Sequence, residues 1–300
     1  MTVEKDFDLL LVGHFAKDRN IVDGVGKTES GGGVYFGAIV ACRMGLRVAI
    51  ATRLHRDDFS HLDEIKRVGI KVFATPAPET SGIENSYQST DMERRICKPL
   101  GFAGAFQIAD LPEINARINV IAPIIAGEVD LPLLKWLAAR APVALDIQGF
   151  VRVRDGNQLV FRQWNQMADG LKHVTYLKVD RAEAELLTGE TDLKIAAKKL
   201  RSYGPKEIVL TQSTGVTVFA DGEIHTAPFT PRSLAGRTGR GDTCFSAYLG
   251  KRLSALPAEA CRFAAAVTTL KQEKPGPWNG TMEEIISTMN YHAQLHTSNV

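Results

Sequence analysis

Short apolar runs recur along this chain with helical stretches between them, and that alternation restricts the fold more than any other feature. Phe7 to Val12 (FDLLLV) is apolar, short and ends at Gly13. A run of this kind is a strand buried on both faces. Val48 to Thr52, Val120 to Ala126, Val143 to Ile147, Val174 to Val179 and Ile208 to Thr211 share its length and its β-branched character. Helical periodicity occupies Val34 to Met44, Asp58 to Val68, Leu131 to Arg140, Arg181 to Leu187 and Leu193 to Tyr203. Strands alternating with helices predict an α/β fold whose mostly parallel sheet is covered on both faces. Right-handed crossovers then bring loops and ligands to the carboxyl ends of the strands.

Two regions break the alternation. Val216 to Ala220 and Glu223 to Ala227 flank Asp221-Gly222, a pair suited to the positive φ angles of a tight hairpin turn. Thr75 to Leu111 is polar, holds Pro76, Pro78 and Pro99, and carries short alternating runs at Tyr87 to Thr90 and Arg95 to Cys97. That length predicts a small β insertion, and insertions at the rim of such a sheet commonly act as lids. The polar tail from Asn290 to Val300 is expected to fray.

Charge and composition exclude several function classes. Thirty-six basic against 34 acidic residues, with no like-charged block, argue against a nucleic-acid partner. No uncharged apolar stretch approaches the ~20 residues of a membrane span, and MTVEKDFDLLLVG does not read as a targeting segment. Cys42, Cys97, Cys244 and Cys261 are scattered without a CxxC pair. Reduced thiols in a cytoplasmic protein are the expectation.

The stretch Gly236-Arg237-Thr238-Gly239-Arg240-Gly241-Asp242-Thr243-Cys244 precedes the helical pattern FSAYLGKRL. Glycines where a helix begins leave backbone N–H groups and the positive end of the helix dipole open to an anion. Asp242 lies at the edge of this cradle, placed to take a proton from an attacking hydroxyl. A plain capped helix after a flexible turn is the simpler alternative. A carboxylate at a helix N-terminus is expected to have a lowered pKa.

Here the chain resembles the ribokinase-like (PfkB) carbohydrate kinases, whose late signature reads D-T-x-G-A-G-D. Four further elements follow the family's order. Gly31-Gly32-Gly33 with Met44-Gly45 resembles its early glycine signature, and Asp146-Ile147-Gln148-Gly149-Phe150-Val151-Arg152 is similar to its D-x-N-x-x-R strand end. The latter has the form of the myo-inositol kinase-type branch. Lys178-Val179-Asp180-Arg181-Ala182-Glu183 resembles the N-x-x-E element, and Leu187-Thr188-Gly189 its helix end.

The resemblance implies a single three-layer domain over residues 1–300, with a small β lid from residues near 14–30 and 75–106. It implies phosphorylation of a hydroxyl on a sugar or cyclic polyol by ATP and Mg²⁺. Asp242 would be the base and the backbone of Gly239, Arg240 and Gly241 the anion hole. Asp180 and Glu183 would act on Mg²⁺ through water; Lys178, Thr211, Ser213 and Gly215 would meet the donor. Gly32, Gly33, Phe36, Asp18, Asp146 and Arg152 would form the acceptor end. A homodimer through the lid belongs to the same expectation. A nucleoside kinase, or a binding protein that keeps the fold without turnover, is the alternative.

The chain also departs from the family. Gly236 stands where the signature opens with Asp, which removes a carboxylate that a monovalent-cation site would use. Arg240 replaces a small residue, and is either a donor contact or solvated. Phe36, Asp180 and Gln148 each replace Asn, and the segment after Thr211 is one residue short, with Ser213 in place of glycine. His14 either faces the site or caps a turn. His292 and His296 have the i, i+4 spacing of zinc ligands but no third partner in sequence.

Overall fold

A computed structural model of the protein describes residues 5–88 and 91–297. Its first third runs β1 (Phe7–Val12), β2 (Ala16–Val22), β3 (Val25–Gly31), α1 (Gly33–Arg43), β4 (Val48–Leu54), α2 (Asp63–Arg67), β5 (Lys71–Pro76), β6 (Gly82–Gln88) and β7 (Asp91–Gly101). The middle holds β8 (Ala116–Ile121), α3 (Leu131–Ala138), β9 (Val143–Asp146), α4 (Gln148–Val151), β10 (Arg152–Asp155), β11 (Gln158–Phe161), α5 (Met167–Gly170), β12 (Tyr176–Asp180), α6 (Arg181–Thr188) and α7 (Leu193–Ser202). The last third is β13 (Glu207–Gln212), β14 (Gly215–Ala220), β15 (Glu223–Pro228), α8 (Arg240–Arg252), α9 (Pro257–Gln272) and α10 (Met282–Thr297).

Among the described residues the main sheet has the order β15-β14-β13-β12-β9-β8-β1-β4-β5. From β13 to β5 every neighbouring pair is parallel, and the β14–β15 hairpin closes one edge antiparallel. The two-residue period of β1 shows how its faces divide. Leu9 and Leu11 pack with α1, α8 and α9, while Leu10 and Val12 pack with α3, α6 and α7. Burial on both sides explains why this strand reads as an unbroken apolar run. The expected β insertion is a second sheet, ordered β3-β2-β6-β7, beside the carboxyl ends of the main strands. Within the expected run Tyr87 to Thr90, residues 89 and 90 lie outside the described residues.

Several boundaries differ from expectation. The apolar run Val120 to Ala126 is strand only to Ile121, because the chain then turns and its amides find a side chain. Glu128 accepts from the N–H groups of Ile124 and Ile125 at 2.6 and 2.8 Å, and from that of His14 at 3.1 Å. Asp58 to Val68 is a 3₁₀ turn over Arg56–Leu62 followed by α2, since the Asp58 carboxylate is held by Lys17 and Thr80. Asp146 to Arg152 leaves its strand into the helical turn α4, and the β10–β11 hairpin went unforeseen. The tail is helical through Thr297 rather than frayed from Asn290.

Candidate active site

Gly239 caps α8 with φ +80°, and a Cβ there would lie 2.3 Å from the Phe36 ring. Phe36 is therefore the floor of the glycine loop. Its ring also meets Tyr35 edge-on at 5.0 Å. The Arg240 amide is turned back to the Arg237 carbonyl at 3.2 Å, which leaves the Gly241 and Asp242 amides as the first-turn N–H groups of α8 without an intrahelical acceptor. Gly33, opposite, is needed because a Cβ there would come within 2.9 Å of an Asp242 carboxylate oxygen.

A buried charge cluster lies beneath this turn. Lys178, at the end of β12, places its ammonium 3.1 Å from both Asp146 oxygens and 3.7 Å from Glu183. A solvated Lys178 is excluded by its burial. Asp180 and Glu183 form a reciprocal capping box at the start of α6, each carboxylate accepting from the other's backbone N–H. One Glu183 oxygen, Oε1, is buried with no protein partner. Burial raises the Glu183 carboxyl to about 7. Burial would lower Lys178, but the surrounding carboxylates, Asp146 foremost, hold it above the usual ammonium range. Asp242 is raised to about 6, by loss of solvent and then by the Asp146 charge, with Lys178 opposing. The lowered value expected from the helix dipole is thus overturned: nearby negative charge and desolvation outweigh the helix end.

A cavity of about 370 Å³ joins these groups to the small sheet. Asp18, Gly32, Gly33, Phe36, Asp146, Arg152, Lys178, Asp180, Thr211 and Gly239 through Asp242 all line it. Glu183 lies behind the wall. Ser213 and Gly215 are not part of the lining: the former sits in an exposed two-residue turn between Gln212 and Gly215, the latter is buried in β14. Asp18 accepts from the Ile83 N–H at 2.8 Å, and Arg152 donates to Gln148 at 2.8 Å. Asn85, Phe161, Arg237 and Lys271 went unnoticed in the sequence, although Asn85 lies in the insertion already assigned to a lid. Phe161 belongs to the unforeseen hairpin.

The remaining candidates fall away from the cavity. His14 is fully buried, bonded through Nε2 to the Gly104 carbonyl at 2.9 Å and through Nδ1 to Ser81 Oγ at 2.7 Å. Burial pushes its pKa down to about 3. His292 is buried against the Thr230 hydroxyl at 2.9 Å, and the His296 side chain lies outside the described residues. Among the described residues no three His, Cys, Asp or Glu side chains are arranged to hold a metal directly, and no helix is long and apolar enough to cross a membrane. The four cysteines are free.

The sequence profile of the pfkB family carbohydrate kinases matches residues 12–284. A solved pyrophosphate-dependent kinase of the ribokinase family, complexed with a pyrophosphate analog and myo-inositol, is 36% identical with a TM-score of 0.87, over 93% of this chain and 99% of that one. A pyrophosphate-dependent myo-inositol-1 kinase converted into a myo-inositol-3 kinase is 35% identical, with a TM-score of 0.86 over 94% and 98% of the two chains. The cytidine kinase of Thermococcus kodakarensis is 25% identical over 289 residues, 92% of this chain and 99% of its own.

Proposed function

Since this chain belongs to the pfkB family of carbohydrate kinases, we propose that it phosphorylates a hydroxyl of a cyclic polyol of the inositol kind, with pyrophosphate as the preferred donor. One observation carries the reading: a single cavity combines two chemistries. Asp18, Asn85 and the Asp146 carboxylate beside Lys178 offer partners for hydroxyls, while Arg237, Arg240 and the start of α8 add positive charge for an anion. The turn after β13 holds only Ser213 and Thr214, and Ser213 and Gly215 stay outside the cavity. A donor that is all phosphate fits this better than the ATP the family resemblance implies.

Phosphoryl transfer asks the protein to fix the donor, neutralise its charge and align the acceptor. The acceptor hydroxyl oxygen attacks the near phosphorus, orthophosphate leaves, and the hydroxyl proton passes to Asp242. The Gly241 and Asp242 amides meet the transferred group, and Arg240 adds charge-assisted hydrogen bonds as charge shifts to the leaving oxygen. The unpartnered Glu183 Oε1 and the adjacent Asp180 fit a hydrated Mg²⁺ held through water, as suits an ion that keeps several of its waters. When bound, that ion would neutralise donor oxygens.

The test is phosphate release by the pure protein with Mg²⁺ and either pyrophosphate or ATP, across inositols, pentoses, hexoses and nucleosides. Fastest turnover with pyrophosphate and an inositol is expected. ATP-driven phosphorylation of cytidine as the best reaction would replace this reading by the nucleoside one, and no turnover with any pair would leave a binding protein.

A further inference from the structure

Position 236 cannot carry the carboxylate that opens the family's signature. A Cβ there would stand 1.8 Å from the Lys274 carbonyl oxygen and 2.6 Å from that of Lys271, and the Gly236 N–H donates to the Gln272 carbonyl at 2.8 Å. The loop thus lies flush on the carboxyl end of α9, where carbonyl oxygens concentrate negative charge. The residues do not fit a site for a dissolved monovalent cation built on an acid at this position. A cation is nonetheless present. Lys271, 2% exposed, donates its ammonium to the Gly236 carbonyl and sits 5.1 Å above the Phe36 ring. Among the described residues no carboxylate forms an ion pair with it.

We propose that Lys271 is a built-in monovalent cation: it holds the Gly236 carbonyl and the ring beneath Gly239, keeps the amides of Gly241 and Asp242 aimed at the donor, and makes the anion loop independent of dissolved potassium or sodium. Several features converge on this role. The ammonium grips the first residue of the loop, and the ring it covers is the surface on which the last glycine before α8 rests. A cavity of about 130 Å³ beside the main one brings Lys271 together with Asp18, Glu29 and Tyr35. Burial lowers its pKa to about 8, with Asp242 and Glu29 opposing, so it remains mostly charged at neutral pH. A buried ammonium without an ion-pair partner is costly to keep, and a backbone carbonyl with an aromatic face is the arrangement that solvates a compact cation.

The inference rests on the kinase reading for its meaning, but its test does not require turnover. Binding of inorganic pyrophosphate to the full chain is measured by calorimetry at equal ionic strength in potassium, sodium and tetramethylammonium chloride. The parent should bind with the same affinity, within twofold, in all three salts. Lys271→Ala should bind at least tenfold more weakly in tetramethylammonium and recover when potassium or ethylammonium is supplied, which lost packing alone would not do. A parent whose affinity rises more than fivefold on adding potassium would overturn the proposal, as would a folded Lys271→Ala that binds like the parent or is weakened equally in every salt. If that variant fails to fold, the parent's salt series still decides. If ATP proves to be the donor, the same series with ATP tests the same loop.

Discussion

Asp242 was legible because the glycines that expose it are its sequence neighbours; what the sequence misjudged was its environment. Its carboxyl is raised to about 6, chiefly by burial and then by Asp146, a residue 96 positions earlier that only the fold brings near. As the proposed base, Asp242 must be unprotonated to work, so kcat/KM should climb as pH rises through about 6 and level off above 7. Asp242→Asn should lower kcat by ~10² to 10⁴ while leaving donor binding in place, measured by calorimetry. Lys178 favours the charged form of Asp242. Lys178→Met should therefore move the acidic limb to higher pH, and Lys178→Arg should largely restore it; a limb that stays in place for the methionine variant would detach Lys178 from the base. Lys271 and Asn85 escaped the sequence reading for the opposite reason. Each is an ordinary residue of its own element, and acquires meaning only from Gly236 or Asp18 across the fold.

At the scale of elements, reading succeeded where a segment satisfies its own backbone. The α6 start is an example: Asp180 and Glu183 close a capping box, and Gly189 ends the helix at φ +74°. It failed where a distant or unusual group takes over that task. Residues 122–126 read as strand because they are apolar, yet the amides of Ile124 and Ile125 are gathered by the buried Glu128 carboxylate. Burial raises that carboxyl to about 7. A group whose folded pKa exceeds its unfolded value of 4.5 binds its proton more tightly when folded, so its contribution to stability falls as pH rises from about 4.5 to about 7. His14 works in the opposite direction, since its pKa of about 3 makes stability rise with pH from about 3 to 6.5. His14 Nδ1 lies 3.5 Å from a Glu128 oxygen, so the two titrations are linked and the comparison that isolates the first is made in a His14→Asn background. Urea unfolding should find His14→Asn losing on the order of 2 to 3 kcal/mol relative to the same protein carrying Glu128→Gln between pH 4.5 and 8. Parallel curves would mean that the carboxylate is stabilised in the charged form by its three N–H donors.

For the molecule as a whole, alternation of apolar runs and helices was enough to read the parallel sheet, because each such strand is buried by covering helices on both faces. The small sheet was legible only as an interruption. Its four strands pair β2 with β6 in parallel across residues 23–81, and no local pattern encodes that partner. Yet the pairing decides the site: Asp18 of β2 accepts from the Ile83 amide of β6, and with Asn85 it faces Asp146 and Asp242, carried by the main body. A polyol hydrogen-bonded to both groups would tie one sheet to the other. We infer that the small sheet closes over the acceptor as a lid, and such closure leaves a trace in hydrogen exchange. Saturating myo-inositol should slow amide exchange in residues 16–22 and 82–86 by at least fivefold, while β8, β9 and β12, buried in the main sheet, should change little. Asp18→Ala should abolish the slowing and leave the exchange of the main sheet as it was. Uniform protection of both sheets, or none in the small one despite saturating turnover, would show that the acceptor binds to the main body alone and that the small sheet is a fixed wall.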